Sequence, residues 1–539
     1  MYNYKRELIE PTLTLLIMKI GFDNEKYLRI QSEHIRERIA QFDGKLYLEL
    51  GGKLFDDHHA SRVLPGFKPD SKLRMLAQLR DQIEIVIVVS AEDIEKNKVR
   101  ADLGITYDED VLRLRDEFMN REFMVGSVVI THYDGQRAAD QFRHRLERMG
   151  IRSYIHYLID GYPHDVELIA SDEGFGKNDY VVTTRPLVIV TAPGPGSGKM
   201  AVCLSQLYNE NKRGIRAGYA KFETFPVWNL PLKHPVNIAY EAATADLNDV
   251  NMIDPFHLEA YDKIAVNYNR DIEIFPVLNA LFEGIYGVNP YKSPTDMGVN
   301  MVGFCISDDE VCCQASRNEI IRRYYTATNK LADGADNESE VHKIQMLFSQ
   351  AKITTAYRRT TVAANRRKEE TGHTAAAIEL ADGTIITAKS SPLLGCSAAL
   401  LLNATKHLAG IDHETKLIPQ SMIEPIQKTK IEYLGARNPR LHTDEVLVAL
   451  SVLSHHDEQF DNGRSSKSNV SLLGHCRDVT DEDEVNWGAQ LAENCRRALE
   501  QLPQLRDCQV HSTVMLSEVD RKIFKKLGCG LTCDPVRKK

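Results

Sequence analysis

The sequence predicts an α/β protein with a Rossmann-like, doubly wound parallel sheet, a helical connector and a second, smaller α/β domain. Three observations support this fold class. Between residues 45 and 225, short β-branched runs alternate with amphipathic stretches, which is the pattern of βαβ units. One run leads through a P-loop-like glycine loop into an amphipathic helix, as at the switch point of such a sheet. Helix and strand signals alternate again after residue 370.

Seven apolar runs are predicted as strands of the first domain, because β-branched residues dominate them and turn residues bound them. They cover residues 46–50, 83–89, 125–131, 152–157, 166–170, 187–191 and 216–221. The segments between them carry apolar residues at three- and four-residue spacing, which is typical of amphipathic helices. The predicted helices cover residues 71–79, 109–119, 138–149 and 199–211. Gly150 and Gly214 follow two of them where a C-cap belongs.

The remaining chain is divided by composition. Residues 231–370 form the predicted connector, in which Pro-, Asn- and Asp-rich loops precede an Arg-rich helical region that begins near residue 309. Residues 371–539 form the predicted C-terminal domain, which begins with the hairpin-like segment TAAAIELADGTIITAKSS. The first domain is assigned to residues 18–230, because MKIGFDNEKYL has the character of a natural start. Residues 1–17 are then a possible non-native extension.

The composition of the 539 residues excludes several classes of protein. With 43% hydrophobic and 27% charged residues, the chain can form cores and a wetted surface, which excludes a disordered or collagen-like protein. The formal net charge of −9 argues against a general binder of nucleic acids or anionic membranes. No apolar run approaches the ~20 residues of a membrane span. We therefore expect no nucleic-acid partner and no membrane partner.

The ten cysteines are scattered and often lie in apolar runs, as expected for buried thiols in the reducing cytoplasm. Cys312 adjoins Cys313, but neither has a second Cys or His pair at zinc-ribbon spacing, so no metal ligands are assigned. Basic residues gather between positions 358 and 368. They could bind an anion or an acidic neighbouring subunit, or form a solvated helix face. A homo-oligomer is the expected assembly.

The most specific motif is VTAPGPGSGKMAVCLSQLY, in which a buried strand runs into a glycine loop and then a helix. Backbone N–H groups of such a loop can converge on an anion, the helix N-terminus adds its dipole, and Lys199 adds a charge. The motif departs from a P-loop at Pro193 and at Met200, which stands where Ser or Thr would ligate Mg²⁺. A phosphate site, a site for another anionic group and a tight structural turn are the alternatives. The predicted binding residues are Gly194, Gly196, Ser197, Gly198 and Lys199.

Polar residues follow the other predicted strands, and they would converge at the carboxyl edge of the sheet. Gly51, Gly52 and Lys53 follow the first strand and are further candidates for binding the ligand. Asp172, Glu173 and Glu223 follow later strands and are candidate cation ligands or bases.

His257 lies in the acidic, loop-rich segment DPFHLEAY, where a carboxylate could orient it as a general base. A hydrogen-bonded structural histidine is the alternative. No HExxH or GxSxG motif is present, so no protease motif and no catalytic nucleophile is identified.

Several long phrases point to one family. They are FDGKLYLELGGKLFDDHHASRVLPGF, VTAPGPGSGKMAVCLSQLY, GYAKFETFPVWNLPLKHPVNIAYEAATADLNDVNMIDPFHLEAY and HSTVMLSEVD. Together they resemble the uncharacterised bacterial family catalogued as domain of unknown function number 1846, from about Met18 to the C-terminus. The resemblance supports Met18 as the family-like start. The resemblance implies no mechanism, because the activity of the family is not established. Some members carry an ATP-dependent peptidase label, but this sequence contains no protease motif.

The leading hypothesis is an enzyme that binds a nucleotide or another phosphorylated small molecule at the glycine loop, with phosphoryl or nucleotidyl transfer as the candidate reaction. The cofactor is unknown, and a nucleotide with Mg²⁺ is one possibility. The alternative is a non-catalytic ligand-sensing or oligomeric assembly protein that uses the same anion site. A dehydrogenase is a third option, although the glycine spacing that it requires is absent.

Overall fold

The structure is a computed structural model, and it describes residues 20–51, 54–55, 57–100, 103–455 and 481–536. The chain divides into two units. The first covers Ile20–Glu319, and the second covers the described residues from Ile320 onward. The domain boundaries predicted at residues 230 and 370 differ from this division. Residues 1–17 lie outside the described part.

The strands of the first unit form one large sheet and two small hairpins. In chain order they are β1 (Leu46–Leu50), β2 (Ile83–Ser90), β3 (Val99–Arg100), β4 (Ile105–Thr106), β5 (Met124–Tyr133), β6 (Ser153–Tyr157), β7 (Leu187–Thr191), β8 (Gly218–Phe222), β9 (Asn251–Ile253), β10 (Val266–Tyr268) and β11 (Gly298–Val299). Within the described residues, the large sheet has seven parallel strands in the order β11-β8-β1-β7-β2-β5-β6. Their carboxyl ends therefore lie at one edge, which we name the carboxyl edge.

Helices connect these strands. In chain order they are α1 (Asn24–Ala40), α2 (His58–Val63), α3 (Ser71–Ala77), α4 (Ala91–Glu95), α5 (Tyr107–Met119), α6 (Arg137–Arg148), α7 (Val166–Ile169), α8 (Lys199–Lys212), α9 (Pro235–Ala243), α10 (Pro255–Tyr261), α11 (Asn269–Tyr286), α12 (Pro294–Met297) and α13 (Asp309–Ala332), the last of which continues into the second unit. Strands β1, β2 and β7 are buried along their whole length. This explains their mostly apolar sequences, which Glu49 in β1 and Glu84 in β2 interrupt, because a parallel sheet covered on both faces has no solvent side.

Six of the seven predicted strands are confirmed, and one is wrong. Residues 166–170 were expected to form a strand, but Val166–Ile169 is one turn of helix, α7. Asp165 begins that turn, because its Oδ1 accepts a 3.1 Å hydrogen bond from the Leu168 N–H group. The error has a physical cause: an apolar run this short does not distinguish strand from helix, and the capping residue before it decided the outcome.

The second unit combines a smaller sheet with helices. Its elements are α14 (Glu338–Ala351), α15 (Arg359–Thr371), β12 (Ala375–Glu379), β13 (Ile385–Lys389), α16 (Cys396–Leu408), α17 (Gln420–Lys428), α18 (Thr443–Ser454), α19 (Asp481–Glu500), β14 (Gln509–Ser512), α20 (Glu518–Lys526) and β15 (Gly530–Cys533). The sheet order is β13-β12-β14-β15, with antiparallel pairs except β14-β15. The predicted hairpin is confirmed as β12-β13, with Gly383 at a positive φ of 83° in its turn.

Each unit buries apolar side chains. In the second unit, Leu400 and Leu401 of α16 pack with Val510 of β14 and Phe524 of α20. The strands that carry the glycine loop are buried in the first unit. In the described part of the chain, no helix combines the length and the apolar character that crossing a membrane requires.

Candidate functional site

The glycine loop, defined here as residues 192–198, joins β7 to α8 at the carboxyl edge of the large sheet. Gly196 and Gly198 have φ angles of 75° and 81°, which L side chains rarely adopt. Gly194 is required for a different reason, since a Cβ atom there would lie 2.3 Å from the hydroxyl oxygen of Tyr107. The backbone conformation and the close packing together account for the three glycines of the motif.

Two side-chain hydrogen bonds hold the glycine loop in place. The buried Ser197 donates from Oγ to the carbonyl oxygen of Gly194 at 2.7 Å. Thr131, near the end of β5, donates from Oγ1 to the carbonyl oxygen of Ser197 at 2.7 Å. Among the described residues, the backbone N–H groups of residues 196–199 find no hydrogen-bond acceptor. The loop is thus fixed through its carbonyl oxygens and not through these N–H groups.

Lys199 begins α8, and its ammonium group lies beside Glu49 of β1. Lys199 Nζ is 3.8 Å from Glu49 Oε1, which is too far for a hydrogen bond, and the two side chains are only 11% and 12% exposed. The other Glu49 oxygen, Oε2, accepts a 2.9 Å hydrogen bond from the buried Tyr219 hydroxyl. A largely buried charge is costly unless it is well paired. An anion at the glycine loop would therefore improve the surroundings of Lys199.

A second lysine lies at the end of β8, in a group of side chains that we name the Lys221 cluster: Lys221, Glu223, Tyr268 and Asp271. The Lys221 ammonium group donates to the Tyr268 hydroxyl and the Asp271 carboxylate, and it lies 3.3 Å from Glu223 Oε1. Burial raises the pKa of Glu223 to about 8; Lys221 opposes this rise and Asp271 adds to it. A carboxyl group with a raised pKa suits a proton donor better than a cation ligand.

A serine and a histidine meet at the ends of β2 and β5. His132 Nδ1 lies 3.1 Å from Ser90 Oγ. His132 has a φ angle of 51°, which is unusual for a residue other than glycine, and such backbone strain is concentrated at functional sites. Its neighbour Thr131 contacts the glycine loop directly. The pair can supply a hydroxyl group and a base beside the loop.

His257 is buried in α10, where its Nδ1 lies 3.0 Å from Ser293 Oγ and 3.8 Å from Asp296 Oδ1. The carboxylate beside the ring is thus Asp296, which lies outside the acidic segment that was expected to supply it. No hydrogen bond or ion pair joins His257 to the glycine loop within the described residues. The structure does not bring His257 into direct contact with Lys199 or Glu223.

Asp172 and Glu173 are exposed and lie away from the glycine loop. Asp172 pairs with Lys212 and accepts a 2.8 Å hydrogen bond from the Tyr208 hydroxyl, both near the C-terminal end of α8. Lys199 starts the same helix thirteen residues earlier, about 20 Å along its axis. Gly51 ends β1 in open space, while Gly52 and Lys53 lie outside the described residues. Of the predicted carboxylates, only Glu223 lies at the carboxyl edge.

Sequence reasoning assigned no role to Glu49, Lys221 or Asp271, and it anticipated Ser90 and His132 only as polar residues that follow strands. The sequence did contain a signal for two of these residues, Glu49 and Lys221. Glu49 interrupts the apolar run LYLEL, and Lys221 interrupts GYAKF. A charged residue inside a run that a parallel sheet buries needs a partner, so each marks a place where a charged or hydrogen-bonding partner must lie. No local signal identifies Asp271, which approaches from α11.

Both units match models of one known family. The N-terminal part of the family described as domain of unknown function DUF1846 matches residues 20–352, and its C-terminal part matches residues 356–476 and 485–539. The chain belongs to this family. The resemblance seen in the sequence is therefore confirmed.

Relatives in this family are similar over nearly their whole length. A UPF0371 protein of Corynebacterium urealyticum is 54% identical over 517 residues, which are 96% of this chain and 97% of that protein. A UPF0371 protein of Streptococcus thermophilus is 53% identical over 517 residues, which are 96% of this chain and 98% of that protein. These names state no activity, so a function must be argued from the site itself.

Proposed function

We propose that the chain is an enzyme that binds a nucleotide or another phosphorylated small molecule at the glycine loop. The observation that carries the proposal is the junction of the loop with α8, where the backbone N–H groups of residues 196–199 have no acceptor among the described residues and Lys199 adds its side chain. N–H groups at a helix N-terminus bind phosphate through hydrogen bonds and the helix dipole. The lysine adds a positive charge at the same point.

The strand order supports a Rossmann-like assignment of the sheet. Strands β1 and β7 are neighbours in the sheet. The connection from β1 to β2 passes over β7, and the connection from β7 to β8 passes over β1 in the opposite direction. Because such crossovers are right-handed, the two connections lie on opposite faces of the sheet. A crevice opens at the carboxyl ends of two strands related in this way, and ligands bind there. Glu49 and the glycine loop flank this crevice.

Two carboxyl groups, those of Glu49 and Glu223, fit two different roles in the reaction. Met200 has no hydroxyl group to offer Mg²⁺, so a carboxylate must hold any cation that accompanies the phosphate. Glu49 is the carboxylate beside Lys199, and it fits that role. Glu223, with its pKa raised to about 8 by burial, fits the role of a proton donor to a leaving group. Phosphoryl or nucleotidyl transfer uses both functions.

Binding measurements test the proposal. Isothermal titration with ATP, GTP, NAD and sugar phosphates should find at least one ligand, and Lys199→Ala should weaken it by about 10- to 100-fold, the value of one charged hydrogen bond. Lys212→Ala is the matched control, because it removes the lysine at the other end of the same helix. The proposal fails if no phosphate compound binds, or if both variants bind as the wild type does.

A non-catalytic ligand-sensing protein is the second candidate, and Met200 in the cation-ligand position favours it. The two candidates differ in turnover. A ligand found by titration is incubated with the protein and Mg²⁺, and its products are followed by chromatography. Conversion that Glu49→Gln abolishes supports the enzyme. A ligand that stays intact over many hours supports the sensor.

A further inference from the structure

Three side chains of metal-ligating type converge away from the glycine loop. His234 lies just before α9, and Asp309 and Cys313 lie in the first turns of α13. The distances are 3.0 Å from His234 Nε2 to Asp309 Oδ1, 3.5 Å from His234 Nε2 to Cys313 Sγ and 3.8 Å from Cys313 Sγ to Asp309 Oδ2. All three ligand atoms lie within 4.8 Å of one another.

The helix explains why two of the three side chains meet. Asp309 and Cys313 are four residues apart, so they lie one above the other on the same face of α13. His234 closes the group from the start of another helix. The adjacent Cys312 takes no part, since it points elsewhere and donates from Sγ to the carbonyl oxygen of Gly21 at 3.2 Å.

The separations are close to the edge lengths of a coordination tetrahedron. With zinc bonds of about 2.3 Å to sulfur and about 2.0–2.1 Å to nitrogen and oxygen, the edges of a tetrahedron measure roughly 3.3–3.6 Å. The three observed distances bracket that range, but the two that involve Asp309 end on different carboxylate oxygens, so its exposed side chain must rotate to bring one oxygen to the shared position. His234 and Cys313 are nearly buried, whereas the Asp309 side chain is 62% exposed, so a cation could reach the group from solvent.

We propose that His234, Asp309 and Cys313 form a site for a zinc-class divalent cation, with three protein ligands and one coordination position open to solvent or a small ligand. Thiolate and imidazole ligands select such a cation over Mg²⁺ or Ca²⁺, which prefer oxygen. The open position follows from the three-ligand set and the exposure of Asp309. Zinc-ribbon spacing is absent because two ligands come from one helical turn and the third from a distant segment.

The cation replaces a proton in this group. Without it, the Val236 N–H group donates to His234 Nδ1 at 3.3 Å, so the ring proton lies on Nε2 and points at Asp309. When the cation binds Nε2, that proton moves to Nδ1 and the Val236 contact is given up. The Cys313 thiol releases its proton to solvent, and its sulfur donates an electron pair to the cation. Metal binding of this kind releases protons and depends on pH.

The neighbouring charge is mixed. Arg317 acts on both His234 and Cys313 through its positive charge, which works against a cation. Its guanidinium Nη1 lies 3.7 Å from Glu310 Oε1, and that carboxylate offsets part of the charge. Asp309 supplies the remaining negative charge within the group itself.

Metal binding to the full chain tests the proposal. The chain is titrated with Zn²⁺ by calorimetry and with Co²⁺ by absorption, in which a thiolate ligand gives an intense sulfur-to-cobalt charge-transfer band. We expect one equivalent of each ion to bind, with the charge-transfer band present. Cys313→Ala and His234→Ala should weaken Zn²⁺ binding by about 100-fold or more, and Asp309→Asn by about tenfold, because each removes one ligand bond. Cys312→Ala is the matched control and should bind as the wild type does.

Two further measurements distinguish a loss of metal binding from a loss of folding. Circular dichroism establishes that each variant is folded, and Cys313→Ser keeps the side-chain volume if Cys313→Ala does not fold. In Cys313→Ser, the cobalt band should vanish. The proposal is overturned if the wild type binds no Zn²⁺, if Co²⁺ binds without the band, or if folded Cys313 and His234 variants bind as tightly as Cys312→Ala. The phosphate titrations at the glycine loop are independent of all these outcomes.

Discussion

The glycine loop and the Lys221 cluster each bring a lysine to the carboxyl edge of the same sheet, but the two ammonium groups differ in their hydrogen-bond acceptors. Lys221 is held by a carboxylate and a hydroxyl group, with Glu223 3.3 Å away. Lys199 has Glu49 at 3.8 Å and, among the described residues, no hydrogen-bond acceptor for its ammonium group. One site has its charge satisfied from within the chain, and the other leaves donors unused.

The difference separates two uses of buried charge. A lysine whose acceptors lie within the chain stabilises the fold around it and has little positive charge left to offer a ligand. A loop with unpaired N–H groups has been fixed without them, through the hydroxyl groups of Ser197 and Thr131. We therefore expect substitutions in the Lys221 cluster to lower stability first, and substitutions at the glycine loop to lower ligand affinity first.

The largest effect is expected from Lys221→Met. The change keeps most of the side-chain volume but leaves the Asp271 carboxylate buried without its cation, which costs about 3 kcal/mol of unfolding free energy. Urea denaturation followed by circular dichroism measures this cost. Lys199→Met is the control, and its loss should be well under half as large because its only described partner is Glu49. Equal losses would remove the distinction between the two lysines.

Gly194→Ala should have the next largest effect. The new Cβ atom would lie 2.3 Å from the Tyr107 hydroxyl oxygen and 2.8 Å from Tyr107 Cζ, so the loop or the ring must move. We expect a loss of about 1–3 kcal/mol from overpacking, together with weaker phosphate binding. Gly51→Ala is the control for stability, because its Cβ would meet open space. Unchanged stability in Gly194→Ala would mean that the loop is looser than this packing implies.

The contrast also explains which parts of the two sites could be predicted from the sequence and which could not. The strands that carry both sites were predicted within two residues, because a buried parallel strand is a continuous apolar run. The glycine loop was predicted as a unit, because its residues are contiguous. Asp271 and Tyr268 were missed, since they reach Lys221 from segments nearly fifty residues away and no local pattern links them. Asp172 was assigned to the carboxyl edge only because residues 166–170 were taken as a strand.

A smaller effect, on the pH dependence of stability, is expected from Glu223. Its pKa in the folded protein is about 8, raised by burial from its ordinary value of 4.5. Because the folded state holds this proton more tightly, Glu223 contributes stability that is full below pH 4.5 and is lost as pH rises through about 8. Denaturation at a series of pH values should therefore find stability falling across this window in the wild type. Glu223→Gln should flatten the fall, and an unchanged slope would contradict the raised pKa.

The smallest effect is expected from Asp172→Asn. Asp172 is exposed, and Lys212 and Tyr208 lower the pKa of its carboxyl group at the C-terminal end of α8. That position is about 20 Å along the helix from Lys199, so neither stability nor phosphate binding should change measurably. Glu49→Gln, assayed in parallel by the same titrations, should weaken any binding that requires Mg²⁺. If Asp172→Asn lowered ligand affinity as much as Glu49→Gln, the ligand would have to extend well beyond the glycine loop, and the open donors at Lys199 would be only one end of its site.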